Sequence, residues 1–304
     1  MTIKSELREE IREKYNLNID DYCPKNDEDA WLMYPKLNYV YNKMFICEFQ
    51  NLSYAPMPIL PDKYPVIIKP IINLMGMGIN SIKVNNDEEF KKQYNNNHFW
   101  CEFLQGDHNS WDFVITKGKI QYICCFNGYI DNNKFGTFKY WSLLKNVKLP
   151  KILNKFINKN FKNFTGCINI ETIDNKMIEC HLRMGDIDQL PKDNLRIILL
   201  NYLGKIENVK AEIEKLQIID DLYLFPIWQT IQSYHNLKNI YDYLKKVWEN
   251  ELIKDDNIIM YYFDEVKHAY PNKFKRWFLF SIKNFDQGII IKNRIQNDII
   301  NKFL

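Results

Sequence analysis

The residues best suited to chemistry crowd into one run, Cys167 to Arg183. Within it, Asp174-Asn175-Lys176 suits a three-residue hairpin loop, because Asn tolerates the left-handed backbone conformation. That register sets Ile173 opposite Met177, Glu171 opposite Glu179, Asn169 opposite His181 and Cys167 opposite Arg183. One face then carries two carboxylates, an imidazole and a guanidinium. The other carries Ile168, Ile170, Ile178, Cys180 and Leu182, all suited to burial. Carboxylates directly opposite one another stand about 5 Å apart at Cβ and repel. A divalent cation between them removes that cost, and carboxylate oxygens with a few waters suit Mg²⁺, an ion that commonly bridges nucleotide phosphates. Arg183, two residues beyond His181, is placed for a phosphoryl group or a developing negative charge. A solvent-facing hairpin with a surface Glu–Arg pair satisfies the same pattern, and a slip of one residue would turn the set to the opposite face.

Two further segments carry chemical potential. Lys69 sits between the apolar run Pro65-Val66-Ile67-Ile68 and Pro70, just before Asn73-Leu74-Met75-Gly76-Met77-Gly78, whose glycines let backbone N–H groups approach a phosphate closely. The spacing is neither GxxxxGK[ST] nor GxGxxG, so neither a P-loop nor a Rossmann fold is supported. The segment from Phe99 to Asp112 reads as a short strand, a Gly106 turn and re-entry into a longer strand, with aromatic walls. A flat apolar slot with a few placed hydrogen-bond groups is what adenine recognition needs. A strand-end surface lysine and a core strand with a turn are the plainer accounts of these two segments.

The elements that must position these groups follow from punctuation and periodicity. Residues 3–15 predict a charged helix, and a second helix is expected around Tyr34 to Phe49. Pro56, Pro58 and Pro61 then mark a boundary. Strands are predicted at Pro65–Lys69 and Ser81–Val84, and a helix capped by Asn86 or Asp87 to about Tyr94. Asp112–Thr116 and Lys119–Phe126 form a strand pair turning at Lys117-Gly118. Pro150 opens a helix to about Phe164, whose lysines from Lys148 to Lys162 mark one side. That stripe could grip a polyanion, but a solvated helix face accounts for it. Beyond Pro191, helices are expected near Leu195–Leu216 and Tyr234–Asn250, then strands at Ile258–Phe263 and Arg276–Ile282.

Composition sets the class. With 304 residues, 46% hydrophobic and 15% aromatic against 26% charged, the chain can bury a large core and is neither a disulfide-stapled miniprotein nor extensively disordered. A net charge of +3 predicts no nucleic-acid partner by itself. Seven scattered cysteines without a CxxC pair read as free thiols in a reducing compartment, and no apolar run approaches the 20 or so residues of a membrane span, so a cytoplasmic location and no membrane partner are expected.

In order along the chain, the three chemical segments resemble the ATP-grasp superfamily. The resemblance rests on PVIIKP with its Gly loop, on CEFLQGDHNSWD for the hinge written E-x-x-x-G-x-E-x-S-x-D, and on INIE with IECHLR for E-x-N-x-R. Longer strings, WLMYPKLNYVYNKMFICEFQ and KHAYPNKFKRWFLFSIKNFDQG, are similar to an uncharacterised ATP-grasp family with WxYPxxNxVYxK, KPIxNLxGMG, NIETI, EvHLR and HAxPP segments.

The resemblance implies an α/β fold built of α+β subdomains, with nucleotide held between two lobes. A pre-grasp region would occupy 1–60, the core 61–190, and a mostly helical C-terminal region 191–304 would pack on the core. It implies that Lys69 holds ATP phosphates beneath Gly76 and Gly78, that Glu102 and Leu104 belong to the adenine hinge, and that Glu171 and Glu179 bind Mg²⁺ (or Mn²⁺). Arg183 would contact the transferring phosphoryl group, with Lys69 neutralising charge beside it. His108 stands where many members have the ribose-binding Glu, and His181 where most have the Asn that completes the metal site. The implied activity is ATP-driven activation of a small-molecule or peptide carboxylate as an acyl phosphate, for attack by an amine or another nucleophile. A kinase on the same fold, or a catalytically silent binding protein, are the alternatives. His268 and Asp186 are candidates for the substrate side.

Overall fold

A computed structural model describes residues 3–16, 18, 21, 23–76, 78–130, 137–202, 221–230, 237–254, 257–263 and 274–303. Two antiparallel sheets organise them. The smaller has the order β1 (Tyr54–Pro56), β4 (His98–Glu102), β2 (Val66–Pro70), β3 (Ile82–Val84). The larger has eight strands in the order β11 (Ile258–Phe263), β12 (Phe274–Ile282), β10 (Tyr223–Thr230), β7 (Phe138–Leu143), β6 (Lys119–Ile130), β5 (His108–Thr116), β8 (Gly166–Ile173), β9 (Lys176–His181). The fold is therefore α/β in composition with antiparallel sheets, and the C-terminal region supplies helices together with β10, β11 and β12. The sequence reading contained no strand at β10, although Tyr223 and Leu224 extend the large sheet by pairing with Ser142 and Trp141.

Helices cover both faces of the large sheet. On one face α1 (Ile3–Tyr15) and α6 (Lys192–Tyr202) bury Leu7, Ile11, Leu195 and Ile198 against Val114, Cys124 and Phe126. On the other, α5 (Lys151–Asn160) inserts Leu153, Phe156 and Ile157 against Phe113, Ile168 and Ile170. Its Lys151, Lys155 and Lys159, and Lys162 just beyond its end, are solvated, with Lys155 and Lys159 lying over the Phe49 ring. Helices α7 (Leu237–Ile253) and α8 (Phe285–Phe303) pack Leu244, Trp248, Ile295 and Ile299 onto β10–β12. Much of the helix predicted beyond Tyr202, and the start of that predicted at Tyr234, lies outside the described residues.

The single helix expected around Tyr34–Phe49 is instead broken. Helix α2 (Asp27–Met33) is capped by Asn26, whose side chain accepts from Asp29 N, and a 3₁₀ helix follows over Pro35–Tyr41. Asn42 then takes an extended conformation and caps α3 (Lys43–Phe49), accepting from Met44 N and Phe45 N. An Asn side chain that satisfies two orphan donors of a new helix ends the preceding one, so Asn42 overrides the apolar periodicity running through it. Helix α4 (Asp87–Lys91) begins at Asn86 as the sequence suggests, but stops well short of Tyr94.

Within the β8–β9 hairpin the loop is two residues, Asp174 and Asn175, both at positive φ (48° and 60°). Thr172 faces Met177 and Ile173 faces Lys176, one step away from the expected pairing of Ile173 with Met177. A bulge next to Glu171 inserts one residue and restores the anticipated partners, Glu171 with Glu179 and Asn169 with His181. The same bulge moves Met177 into the core in place of Ile178, which stays half-buried.

Candidate functional site

The hairpin's polar face looks toward the small sheet and α3. One donor atom each from Glu171, Glu179 and His181 lies within 4.8 Å of the others. Glu179 Oε2 is buried, and Lys43 Nζ at the start of α3 stands 2.6 Å from it. Burial pushes the Glu179 carboxyl upward, but Lys43, His181 and Lys69 outweigh it and hold the group well below the ordinary carboxylate range, so Glu179 is an anion. Two carboxylates and an imidazole at this separation could hold a divalent cation.

His181 is held from behind. Its Nδ1 lies 3.1 Å from Asp27 Oδ1, leaving Nε2 directed at Glu179 Oε2, 3.8 Å away. A carboxylate behind a ring nitrogen orients the ring and raises the basicity of the nitrogen that faces a metal. Asp27, from the first turn of α2, also accepts from Tyr41 Oη at 3.1 Å and from Arg183 Nη2 at 3.0 Å. Burial raises the Asp27 carboxyl, yet His181 and Arg183 more than offset this and its pKa falls far below the usual range. Tyr41 in turn accepts from Leu182 N, so α2, the 3₁₀ helix and the end of β9 share one polar knot.

Lys69 enters from β2. Its Nζ donates to Ile178 O at 3.3 Å, beside Glu179, and lies 5.8 Å from the centre of the Phe99 ring. Burial disfavours the ammonium, but Cys101 and Cys47, then Glu179 and Glu171, outweigh it and raise its pKa. His108, on β5, contacts Glu171: its Nε2 is 2.9 Å from Glu171 Oε2, and Phe138 and Trp141 meet its ring edge-on. Lys69, His108, Glu171, Glu179 and His181 are thus brought together across the two sheets.

The other sequence candidates occupy the margins. Gly76 (φ +68°) and Gly78 (φ +60°) lie in the β2–β3 loop, where no atom of the described residues comes within 4 Å of an added Cβ, and Asn73 braces the turn by donating to Gly76 O. Glu102 ends β4, accepting from Ser53 N, with Lys176 3.9 Å away. Leu104 is half-buried against the patch of Leu52, Phe99 and Cys101. Arg183 lies past the end of β9 and is not paired with Cys167. Its guanidinium is bound by Asp27 and donates to Met184 O. Asp186 begins a 3₁₀ turn that Asp112, wholly buried, anchors through Gly185 N and Ile187 N. His268 lies outside the described residues.

Asp27, Tyr41 and Lys43 were missed by sequence reasoning. Tyr41 and Lys43 stand within the WLMYPKLNYVYNK string, to which no role was given, and Asp27 four residues before it reads as an ordinary acidic first-turn residue.

Residues 31–180 match the family model described as an ATP-grasp domain. No curated protein matches the chain in sequence. Among solved structures, the L-amino acid ligase from Bacillus licheniformis is similar at 12% identity and a TM-score of 0.56, covering 89% of this chain and 75% of that one. The carboxyaminoimidazole ribonucleotide synthase from Aspergillus clavatus, complexed with ATP, is similar at 10% identity and a TM-score of 0.59, over 86% and 74% of the two chains. N5-carboxyaminoimidazole synthetase from Staphylococcus aureus, complexed with ADP, gives 12% identity and a TM-score of 0.53, over 91% and 78%. Among the described residues no helix is long and apolar enough to cross a membrane.

Proposed function

Residues 31–180 carry an ATP-grasp domain, and from that premise we propose that the chain is an ATP- and Mg²⁺-dependent ligase. It would activate a small-molecule or peptide carboxylate as an acyl phosphate, for attack by an amine or another nucleophile. The observation that supports this best is the donor set of Glu171, Glu179 and His181 within 4.8 Å, with Lys69 bonded to the adjacent Ile178 carbonyl.

In this reading Lys69 and the backbone at Gly76 and at Gly78 hold the phosphates, and the Glu102–Leu104 segment supplies backbone groups to adenine. Glu171, Glu179 and His181 would hold Mg²⁺, which would supply charge neutralisation to the phosphates. His108 steadies Glu171 at 2.9 Å. Arg183, held through Nη2 by Asp27 and through Nη1 by Met184 O, keeps further N–H donors for the transferring phosphoryl group. Residues 61–190 would act as the core, with 1–60 closing the metal side through Asp27 and Lys43.

Thermal-shift titration with ATP and Mg²⁺ tests the reading. We expect stabilisation by nucleotide that is lost in Glu171→Gln with Glu179→Gln. No shift, or a shift unchanged in the double variant, refutes it. ADP release screened over amino-acid and small-acid pools then separates a ligase, which leaves an amide, from a kinase, which leaves a stable phosphate.

A further inference from the structure

Strands β7 and β10 are neighbours in the large sheet, yet among the described residues they pair only at Ser142 with Tyr223 and at Trp141 with Leu224. Past that point β7 extends to Phe138 and β10 to Thr230 with no ladder between them. A carbonyl without a ladder partner must find another donor. Here α8 supplies two: Lys292 Nζ donates to Lys139 O, and Gln296 Nε2 donates to Trp228 O at 3.4 Å. The helix thus bridges the parted strands and lines, with them, a cleft of about 220 Å³. That volume suits a small metabolite, since pockets for drug-sized ligands start at roughly 300 Å³.

The walls narrow the chemistry. Lys139 and Lys292 bring two ammonium groups, Asn293 and Gln296 bring two amides, and among the described residues no carboxylate lines the cleft. Like charges without a counter-charge favour an anion, and a carboxylate accepts from ammonium and amide N–H alike. Trp228 and Phe138 add ring surface for a short carbon stem. Phe138 also joins the cleft to the candidate site: its ring meets that of His108 at 4.9 Å between centres, and His108 Nε2 is 2.9 Å from Glu171 Oε2. A molecule anchored at the lysines lies one aromatic ring from the residue that contacts Glu171. Its far end, not the anchored carboxylate, is then the end that meets the phosphoryl site.

We propose that the cleft between β7 and β10 is the substrate subsite, holding a small acid by a carboxylate that does not react and leaving a second group for the chemistry. The inference rests on the ligase reading above and adds the substrate class to it. The second group is either the carboxylate to be activated or the amine that attacks.

Calorimetric titration of the full chain, loaded with a non-hydrolysable ATP analogue and Mg²⁺, tests this and tells the two apart. The probes are glutarate, which offers a second carboxylate, 4-aminobutyrate, which offers an amine, and valeramide, which has no anionic group. At least one of the two acids should bind at least tenfold more tightly than valeramide; glutarate alone identifies a donor subsite, 4-aminobutyrate alone an acceptor subsite, and both together an anion subsite shared by either. Lys292→Gln and Lys139→Gln should each weaken the acid at least tenfold while binding of the ATP analogue is kept. Should Lys292→Gln fail to fold by circular dichroism, Lys139→Gln, altered at an exposed side chain, decides alone. Neither acid outbinding valeramide, or acid affinity unchanged in the folded variants, overturns the inference and leaves the proposed function standing. An ATP analogue that does not bind the wild type removes the proposed function, and the inference with it.

Discussion

Replacing Asp27 probes the knot behind the site more sharply than replacing any predicted ligand. Its carboxylate is 3% exposed and meets three donors, Tyr41 Oη at 3.1 Å, His181 Nδ1 at 3.1 Å and Arg183 Nη2 at 3.0 Å. Asn at this position keeps one acceptor oxygen and turns an amide N–H₂ toward donors already there. At least one charge-assisted hydrogen bond is then lost, which costs about 2–3 kcal/mol. Asp27→Ala strands the guanidinium as well, at about 3–5 kcal/mol. With a urea slope of about 3 kcal/mol/M for a chain of this size, the alanine variant should lower the unfolding midpoint by roughly 1–1.7 M. The exposed neighbour Glu28→Gln serves as control and should stay within about 0.5 kcal/mol. His181 also loses the partner that orients it, so Mn²⁺ affinity should fall about 10–100-fold. An Asp27→Asn protein with the midpoint of the Glu28→Gln control and unchanged Mn²⁺ affinity would refute the reasoning.

Other outcomes follow from the packing and the surface charges. Glu10 on α1 pairs with Arg196 on α6 at 2.8 Å, and the hydrogen bond from that guanidinium lowers the Glu10 pKa. A depressed carboxylate pKa adds stability that is present above the unfolded value and lost as pH falls below it. Because the pair is largely exposed, Glu10→Gln should cost no more than about 1 kcal/mol at pH 7 and less at pH 3, by urea unfolding at both values. Gly288 on α8 lies against the fully buried Phe225, where an added Cβ would come within 2.2 Å of the ring. Gly288→Ala should therefore destabilise by about 1–3 kcal/mol despite its better helix propensity, and a thermal midpoint at or above wild type would contradict that.

Much of the local structure was legible because local chemistry decides it. Alternation and turn residues placed the β8–β9 hairpin, and the Pro150 start and apolar spacing of α5 placed its core face. Asn42 was harder to read. Whether an Asn sits quietly inside a helix or ends one depends on the backbone donors it can reach, and apolar periodicity does not report that. The bulge at Glu171 is a similar case. The hairpin ends as expected on Glu171 opposite Glu179, but reaches it with a tighter turn and one extra residue, so that Met177 rather than Ile178 enters the core.

The sequence by itself determined the donor inventory: two carboxylates and a histidine on one strand pair, a lysine beside a glycine loop, and free cysteines, all seven of which are buried. These depend on period-2 geometry and on residue chemistry, both of which act within a few residues. Only the tertiary structure decided what surrounds them. Asp27 behind His181 and Arg183, Lys43 against Glu179, and His108 against Glu171 are separated in sequence by 154, 156, 136 and 63 positions in turn, as residue numbering gives directly. Pairing over such spans is set by how helices and sheets pack, a collective result of burial that leaves no periodic trace in the chain.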